Sequence, residues 1–381
     1  NADTTFSSSE ILKILTPCVF LPAILISLTA HLIILPLSVD KIITSFIKPA
    51  ITPQSGIPNG IDPTRFRAGR IHMLYDAAYN LFNKPLCMTA AQQLLKCEPE
   101  SNVLILTGFL HPVYYPKGET DGPPGAVGLA RALSMGLNLK PIIFSEEIIH
   151  DVISDACIAG GLSTIWDKSY GYRSQSCSLQ GFELMDIDDT KSAINEVLDE
   201  LNPSAIISVE RTGRNNKNEY HSVLGTSVTP YASKLDYFMD EAKRRNILTI
   251  GIGDNGNEIG FGNIFSDVQK IQMFGETCQC PCKSGIATVV ESDILVPGAT
   301  SNWGAYGIES CISLLLGDPK IMHDGGMEHR VLLACSSLGC ADGSTTHTTP
   351  TCDGTGNLSV YLCDVLKNLV EQSVYKVKRG F

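Results

Sequence analysis

Three stretches of this sequence combine carboxylates, amides or hydroxyls with glycine, and each follows a segment that we predict as a strand. In 118–125 (GETDGPPG), Glu119 and Asp121 could bind a cation or move protons, while backbone N–H groups before a helix could hold an anion. In 253–260 (GDNGNEIG), carboxylates and amides lie close enough together to suit a hard metal ion or an ammonium group. In 298–304 (GATSNWG), hydroxyls and an amide precede an aromatic residue at a helix start.

Each stretch also has a purely structural interpretation. Gly-Asp and Gly-Asn pairs are common in turns, Ser301 or Asn302 could simply cap a helix, and Pro-Pro-Gly could only shape a turn. A further polar stretch, 210–214 (ERTGR), would bring guanidinium groups to the same region, and Arg is suited to bidentate binding of a carboxylate. A surface ion pair is the alternative for these arginines.

Two other groups of metal-binding residue types carry a weaker signal. Cys278, Cys280 and Cys282 could bind a soft metal ion, but their spacing is tighter than in usual zinc knuckles and no fourth ligand is obvious. A structural or incidental role is the alternative for this triplet. The polar cluster at 323–329 (HDGGMEH) is expected to lie mostly on the solvated face of a helix.

The elements that position these residues are short apolar strands alternating with helices. The predicted strands are 102–107, 141–144, 205–209, 247–252 and 288–296. The predicted helices are 124–135, 146–159, 192–201, 233–245 and 302–316. This alternation predicts an α/β fold with a doubly wound, mostly parallel, Rossmann-like sheet. Ligands bind such sheets at the carboxyl ends of the strands, so we expect the glycine-rich stretches to converge in one crevice.

The N-terminal part of the chain has a different character. Residues 14–39 contain no Asp, Glu, Lys or Arg, and about 20 apolar residues suffice to span a bilayer. We predict a membrane anchor there, with an arm packed on the domain or on a partner as the alternative. We therefore divide the chain into an N-terminal hydrophobic helical segment at 1–48, a linker at 49–63 and an α/β domain at 64–381.

Composition excludes several classes of protein. The net charge of −11 lacks the basic footprint of a general nucleic-acid binder, so we expect no nucleic-acid partner. Hydrophobic residues make up 44% of the 381 residues, which excludes extended disorder. The 13 cysteines are scattered rather than densely paired, which indicates a reducing compartment. The sequence also lacks a P-loop, a serine nucleophile elbow and a zinc-protease helix.

Taken together and in this order, the polar stretches resemble the C-terminal domain of the D-glutamate cyclase family. The matching stretches are 107–109 (TGF), 118–133 (GETDGPPGAVGLARAL), 210–214 (ERTGR), 253–262 (GDNGNEIGFG) and 301–310 (SNWGAYGIES). The resemblance extends from about residue 57 to residue 369. Asn255 and Ala305 stand where the family usually has glycine, and 275–283 looks like an insertion.

The resemblance implies an enzyme that converts D-glutamate to 5-oxo-D-proline with loss of water, assisted by a divalent metal, Mn²⁺ or Mg²⁺. It implies Asp121, Asp254 and Glu258 as catalytic metal ligands, and Glu119 as the catalytic group that moves the ammonium proton. The implied substrate-binding residues are Thr120, Gly122, Gly125, Arg211, Arg214, Asn257, Ser301 and Asn302. Among them, the arginines would hold the α-carboxylate and the Gly122–Gly125 backbone would donate to an oxyanion.

The predicted anchor opens a second hypothesis, in which the chain is a catalytically inactive cyclase-like accessory subunit of a mitochondrial membrane complex. Basic residues follow the segment 14–39, and the positive-inside rule then places the large domain on the cytosolic or matrix side. With the mitochondrial location that the resemblance implies, we expect the inner membrane with the large domain facing the matrix. The acidic residues of the polar stretches speak against loss of the pocket. The expected partners are an amino-acid substrate, the membrane and other subunits of such a complex.

Overall fold

A single parallel sheet organises the protein, whose computed structural model describes residues 37–44, 70–165 and 174–379. The strands are β1 (Asn102–Thr107), β2 (Lys140–Ser145), β3 (Ser163–Ile165), β4 (Ser176–Gly181), β5 (Ala205–Val209), β6 (Leu248–Gly253) and β7 (Ile294–Pro297). Their order is β3-β4-β2-β1-β5-β6-β7, and every pair of neighbours is parallel. The predicted α/β fold with a doubly wound parallel sheet is confirmed.

Helices cover both faces of this sheet. They are α1 (Arg70–Phe82), α2 (Leu86–Leu94), α3 (Pro123–Leu137), α4 (His150–Ala159), α5 (Ile187–Leu201), α6 (Tyr237–Arg245), α7 (Phe265–Ile271), α8 (Ser301–Leu316), α9 (Gly325–Ser337) and α10 (Leu358–Arg379). Side chains of a strand alternate between its two faces, so Val103 and Ile105 join a different core from Leu104 and Leu106. Helices α3, α4 and α8 pack on the core that contains Val103 and Ile105. Helices α5 and α6 pack on the core that contains Leu104 and Leu106.

The switch point of the sheet lies between β1 and β5. From β1 the chain passes through α3 to β2 on one side, whereas from β5 it passes through α6 to β6 on the other. The loops that follow β1 and β5 therefore leave in opposite directions and open a crevice at the carboxyl ends of these strands. Thr107 and Val209 are paired in register at its floor.

The structure differs from the sequence prediction at the later elements. The predicted strand 288–296 is wrong in length, because only Ile294–Pro297 joins the sheet and the residues before it bond to loops, as Val289 does to Arg214. Strands β3 and β4 and helices α1, α2, α7, α9 and α10 were not predicted. The cluster at 323–329 is only partly solvated, since His323 and Glu328 are buried whereas Asp324 and His329 are exposed.

Part of the predicted anchor packs on the domain. Residues 37–44 form a helical segment in which Val39 and Ile43 are fully buried. Asp40 in this segment accepts hydrogen bonds from the backbone N–H of Leu86 at 2.6 Å and from that of Cys87 at 3.1 Å. This segment therefore belongs to the α/β domain in the structure. The rest of the predicted anchor, 14–36, and the predicted linker lie outside the described residues, and no helix within the described ranges is long and apolar enough to cross a bilayer.

Candidate active site

Carboxylates from three strand-to-helix loops converge at the switch point. Oxygen atoms of Asp121, Glu210 and Asp254, which follow β1, β5 and β6, all lie within 4.8 Å of one another, and the three side chains are buried. Glu119 and Glu258 lie close enough to act electrostatically on Glu210. We call these five residues the acidic crevice. The expected convergence of the predicted polar stretches is thus observed.

The start of helix α8 holds Asp121 in place. Its carboxylate accepts hydrogen bonds from the backbone N–H groups of Ser301 and Asn302, each at 2.8 Å. The first N–H groups of a helix have no partner within the helix, and the helix dipole favours a negative charge at this end. The loop after β1 and the helix after β7 therefore fix each other.

The side chain of Asn302 caps the start of helix α3 in the same way. Its Oδ1 accepts hydrogen bonds from the backbone N–H of Gly122 at 2.9 Å and of Gly125 at 2.7 Å, and its Nδ2 donates to the carbonyl of Thr120 at 2.8 Å. These N–H groups were predicted to donate to a substrate oxyanion. The structure instead gives both of them a protein acceptor, so we do not retain that role.

Gly122 has a steric requirement of its own. Its φ is +104°, and an added Cβ would lie 2.9 Å from Oγ1 of Thr107. A side chain at this position would therefore strain the backbone and clash with the end of β1. The glycine allows the loop to turn tightly above the floor of the crevice.

Glu210 is the member of the acidic crevice that the sequence prediction missed. It is the first residue after β5, with a left-handed φ of +48°, and its Oε2 accepts a hydrogen bond from the Ser301 hydroxyl. Burial and the like charge of its acidic neighbours raise the pKa of Glu210 well above its ordinary value. The available signal was its position, because a residue directly after a strand at the switch point faces the ligand crevice.

Glu258 closes the loop that carries Asp254. Its carboxylate accepts hydrogen bonds from the backbone N–H of Gly256 at 2.7 Å and of Asn255 at 3.2 Å. Burial, together with the charge of Asp254, raises the pKa of Glu258 well above its ordinary value in spite of these hydrogen bonds. Asn255, where the family pattern has glycine, donates from Nδ2 to Asp254 Oδ1 at 2.5 Å.

Comparison with known proteins identifies the family of this chain. The family model "D-glutamate cyclase-like, C-terminal" matches residues 75–368. The chain belongs to the D-glutamate cyclase-like family. It is also 27% identical over 219 residues to a human protein named D-glutamate cyclase, mitochondrial, and this alignment covers 56% of the chain. The chain aligns with 33% of the length of that relative.

The two arginines that were predicted to bind substrate, Arg211 and Arg214, are already paired with carboxylates of the cyclase-like domain. Arg211 is fully buried and forms a bidentate ion pair with Glu146, at 2.6 and 2.5 Å. Arg214 bonds to Asp236 at 2.7 Å and to Asp240 at 2.6 Å. The predicted grip of these arginines on a substrate α-carboxylate is therefore not supported, because their charge is neutralised within the protein.

Two other predicted substrate contacts also serve the fold of the cyclase-like domain. Thr120 donates from its hydroxyl to the carbonyl of Thr351 at 2.7 Å, which ties the loop after β1 to the segment before α10. Asn257 donates from Nδ2 to the carbonyl of His221 at 3.0 Å, whereas its buried Oδ1 has no hydrogen-bond partner among the described residues. Of the two, Asn257 keeps a polar atom available for a ligand.

The acidic crevice has the donor set that a hard divalent cation requires. Mg²⁺ and Mn²⁺ prefer carboxylate oxygens, and Asp121, Glu210 and Asp254 present three of them within 4.8 Å. Asp121 and Asp254 agree with the predicted metal ligands. Glu258, the third predicted ligand, is not in this group of three, in which Glu210 is the third member; the Glu258 carboxylate accepts hydrogen bonds from backbone N–H groups. Asp121 also lies near Cys352 and Asp353, a second group that the sequence did not reveal.

Proposed function

We propose that the chain is a D-glutamate cyclase-type lyase that converts D-glutamate to 5-oxo-D-proline by intramolecular loss of water. One observation carries the proposal. The buried carboxylates Asp121, Glu210 and Asp254 meet at the switch point, and they lie in the part of the chain that the cyclase-like family model covers. The name of the human relative supplies the substrate class.

The acidic crevice suits the ammonium group of such a substrate. A group of buried carboxylates attracts a cation, and a carboxylate can take a proton from an ammonium group held against it. We assign this proton transfer to Glu119, as the sequence predicts. The neutral amine then attacks the γ-carboxyl carbon, the new C–N bond forms and one C–O bond breaks. Both protons that the nitrogen loses leave with the oxygen as water, so the reaction has no net proton demand.

The negative charge of the γ-carboxylate opposes this attack and must be reduced. Asp121, Glu210 and Asp254 would hold a divalent cation, Mn²⁺ or Mg²⁺, that withdraws electron density from the γ-carboxyl group when it is bound. Ser301 keeps the Glu210 carboxylate in position through its hydroxyl hydrogen bond. Glu258 shapes the loop that carries Asp254 and acts as a positioning residue.

The test is an assay of the purified chain with D-glutamate and Mn²⁺, in which 5-oxo-D-proline is followed by chiral chromatography and L-glutamate is run alongside. We expect product from D-glutamate and its loss in Asp254→Asn. The matched control is Asp155→Asn, which changes an exposed acid on α4 and should leave turnover unchanged. Full turnover in folded Asp254→Asn would contradict the role of Asp254.

A folded, metal-loaded wild-type chain that forms no product would contradict the enzymatic proposal. It would then favour the accessory-subunit hypothesis, which native mass measurement in detergent tests directly. A lone chain has a mass of 41.2 kDa, whereas a subunit would be recovered in a larger particle.

We further propose a mitochondrial location, because the human relative is named as mitochondrial. Attachment to the inner membrane through residues 14–36, the part of the predicted anchor that lies outside the described residues, with the domain in the matrix, is a separate part of this proposal. Alkaline carbonate extraction of mitochondria and protease protection in mitoplasts test it. Release of the chain by carbonate would contradict an anchor, and digestion in intact mitoplasts would contradict a matrix location.

A further inference from the structure

A second cluster of ligand-type side chains lies beside the acidic crevice. The Sγ atoms of Cys278, Cys280 and Cys282 and a ring nitrogen of His221 all lie within 4.8 Å of one another. Cys278 Sγ is 3.4 Å from that of Cys280 and 3.3 Å from that of Cys282. His221 Nε2 is 3.2 Å from Cys280 Sγ and 3.6 Å from Cys282 Sγ. We call these four side chains the thiol cluster.

These separations match one tetrahedral metal ion with four protein ligands. With Zn–S bonds of about 2.3 Å and Zn–N bonds of about 2.0 Å, tetrahedral geometry places two sulfurs about 3.8 Å apart and a sulfur about 3.5 Å from the nitrogen. The two observed sulfur–sulfur distances, 3.4 and 3.3 Å, are slightly shorter than this value. The two nitrogen–sulfur distances, 3.2 and 3.6 Å, lie on either side of the ideal one. A disulfide would require about 2.05 Å, and all three cysteines are free.

The surroundings of the thiol cluster are those of a built site. His221 is 1% exposed, and its Nε2 faces the sulfurs of Cys280 and Cys282. Asn215 donates from Nδ2 towards Cys282 Sγ at 3.6 Å and to the carbonyl of Gly285 at 2.8 Å. An N–H group that faces a ligating sulfur is a typical outer-shell contact of a metal–thiolate site.

We propose that Cys278, Cys280, Cys282 and His221 form a structural Cys₃His zinc site. Four protein ligands leave no open coordination position, which distinguishes a structural site from a catalytic one. The ion would hold the segment 274–286 against the segment 215–229. The apolar cluster between these segments is small, with Ile286 as its one fully buried aliphatic side chain among the described residues, so metal binding would supply much of its stability.

The thiol cluster is connected to the acidic crevice through the loop after β6. The His221 carbonyl accepts the hydrogen bond of Asn257 Nδ2 at 3.0 Å, and the Thr288 N–H donates to the carbonyl of Gly256 at 3.3 Å. Both contacts hold the loop that carries Asp254. The proposed zinc site thus borders the loop that carries Asp254, but it does not depend on the proposed function.

The first test measures metal content and coordination. Elemental analysis of the chain expressed with zinc should find one zinc per chain, and Co²⁺ substitution should give thiolate-to-cobalt charge-transfer bands with strong tetrahedral d–d bands. Asp254→Asn should keep the zinc, which separates this site from a cation bound in the acidic crevice. Zinc-free folded protein, or cobalt spectra without thiolate charge transfer, would overturn the proposal.

Substitutions then identify the ligands. Cys280→Ser should lose the zinc, whereas the control Cys97→Ser, which changes a half-buried free cysteine, should keep it. Asn215→Ala should fold and weaken zinc binding about tenfold, so the proposal stays testable if Cys280→Ser does not fold. Retention of zinc at wild-type affinity in both Cys280→Ser and Asn215→Ala would contradict this assignment, as would a disulfide within the triplet in alkylated, unreduced protein.

Discussion

Buried carboxylates occur in two regions of this protein that differ in how their charge is neutralised. Between α8, α9 and α10, Glu309 accepts hydrogen bonds from His323 Nδ1 at 2.7 Å and from the backbone N–H of His323 at 2.9 Å. Glu328 accepts a hydrogen bond from the Tyr306 hydroxyl at 2.7 Å. Burial lowers the pKa of His323, but Cys363 and Glu309 outweigh it and raise the pKa well above its ordinary value. We call this region the histidine–glutamate cluster.

The acidic crevice is arranged in the opposite way. Glu210 and Glu258 accept hydrogen bonds from a hydroxyl and from backbone N–H groups, while neighbouring carboxylates raise the pKa of both. One region thus pairs its carboxylates with a cation in the core, and the other gathers carboxylates at the ligand edge of the sheet. The paired charges of the histidine–glutamate cluster therefore stabilise the fold. The like charges of the acidic crevice cost stability until a cation binds.

The largest expected effect is on the stability of the histidine–glutamate cluster. Glu309→Gln removes the carboxylate that accepts the hydrogen bond of His323 Nδ1 at 2.7 Å and leaves that of Glu328, 3.6 Å from Nε2. Breaking a buried pair in this way costs about 3–5 kcal/mol. Urea denaturation should show this loss in the free energy of unfolding. The control Asp199→Asn removes an ion pair whose acid is 73% exposed and should change stability by about 0–1 kcal/mol. Equal effects of the two substitutions would contradict the comparison.

Glu210→Gln should lower activity rather than stability. The amide oxygen can still accept the Ser301 hydrogen bond, but a negative charge is lost at the proposed reaction centre. We expect D-glutamate turnover to fall about 10²–10³-fold, which corresponds to about 2.7–4 kcal/mol. The free energy of unfolding should stay constant or rise, because repulsion among the carboxylates is relieved. A loss of stability as large as that of Glu309→Gln would show that Glu210 has a structural role instead.

The third expected effect concerns how the free energy of unfolding depends on pH. The folded-state pKa values of Glu210 and Glu258 lie above the ordinary 4.5, so the folded chain binds more protons than the unfolded chain above this pH. These carboxyl groups therefore contribute stability that is lost as the pH rises towards their folded-state pKa values. Mn²⁺ should offset this loss, by about 2.7 kcal/mol at 100 times its dissociation constant.

Urea denaturation from about pH 5 to about pH 8, with and without Mn²⁺, measures both parts of this prediction. The Mn²⁺ effect should grow with pH, because protons compete with the cation for the carboxylates. Glu210→Gln should reduce the Mn²⁺ effect, whereas Glu309→Gln should leave it unchanged. A Mn²⁺ effect that does not depend on pH would contradict binding in the acidic crevice.

The central strands could be predicted because their sequence pattern is local. Strands β1 and β5 have the predicted bounds, 102–107 and 205–209, since each is a short apolar run that is buried on both faces. Strand β4 was missed because SCSLQG has no such run. Its hydrogen bonds to β2 and β3 form only once the rest of the sheet is in place.

The candidate site was predictable to a similar extent. Asp121 and Asp254 were predicted to converge in one crevice, because both follow parallel strands at the carboxyl edge of the sheet, although β5 lies between their strands. Arg211 was misassigned because its partner, Glu146, lies 65 residues earlier in the chain. His221, the fourth member of the thiol cluster, could not be predicted for the same reason, since it lies 59 residues before Cys280.

Local sequence patterns are enough to predict the parallel sheet, the family and four of the five residues of the acidic crevice, all except Glu210. These features follow from hydrophobic periodicity and from motifs that each lie within a few neighbouring residues. Which charges are neutralised depends on the tertiary structure. The pairs Arg211–Glu146 and His323–Glu309, like the carboxylates of the acidic crevice, are set by distance and burial in space. Electrostatic energy falls with distance and rises as water is excluded, and neither quantity is written in the order of the residues.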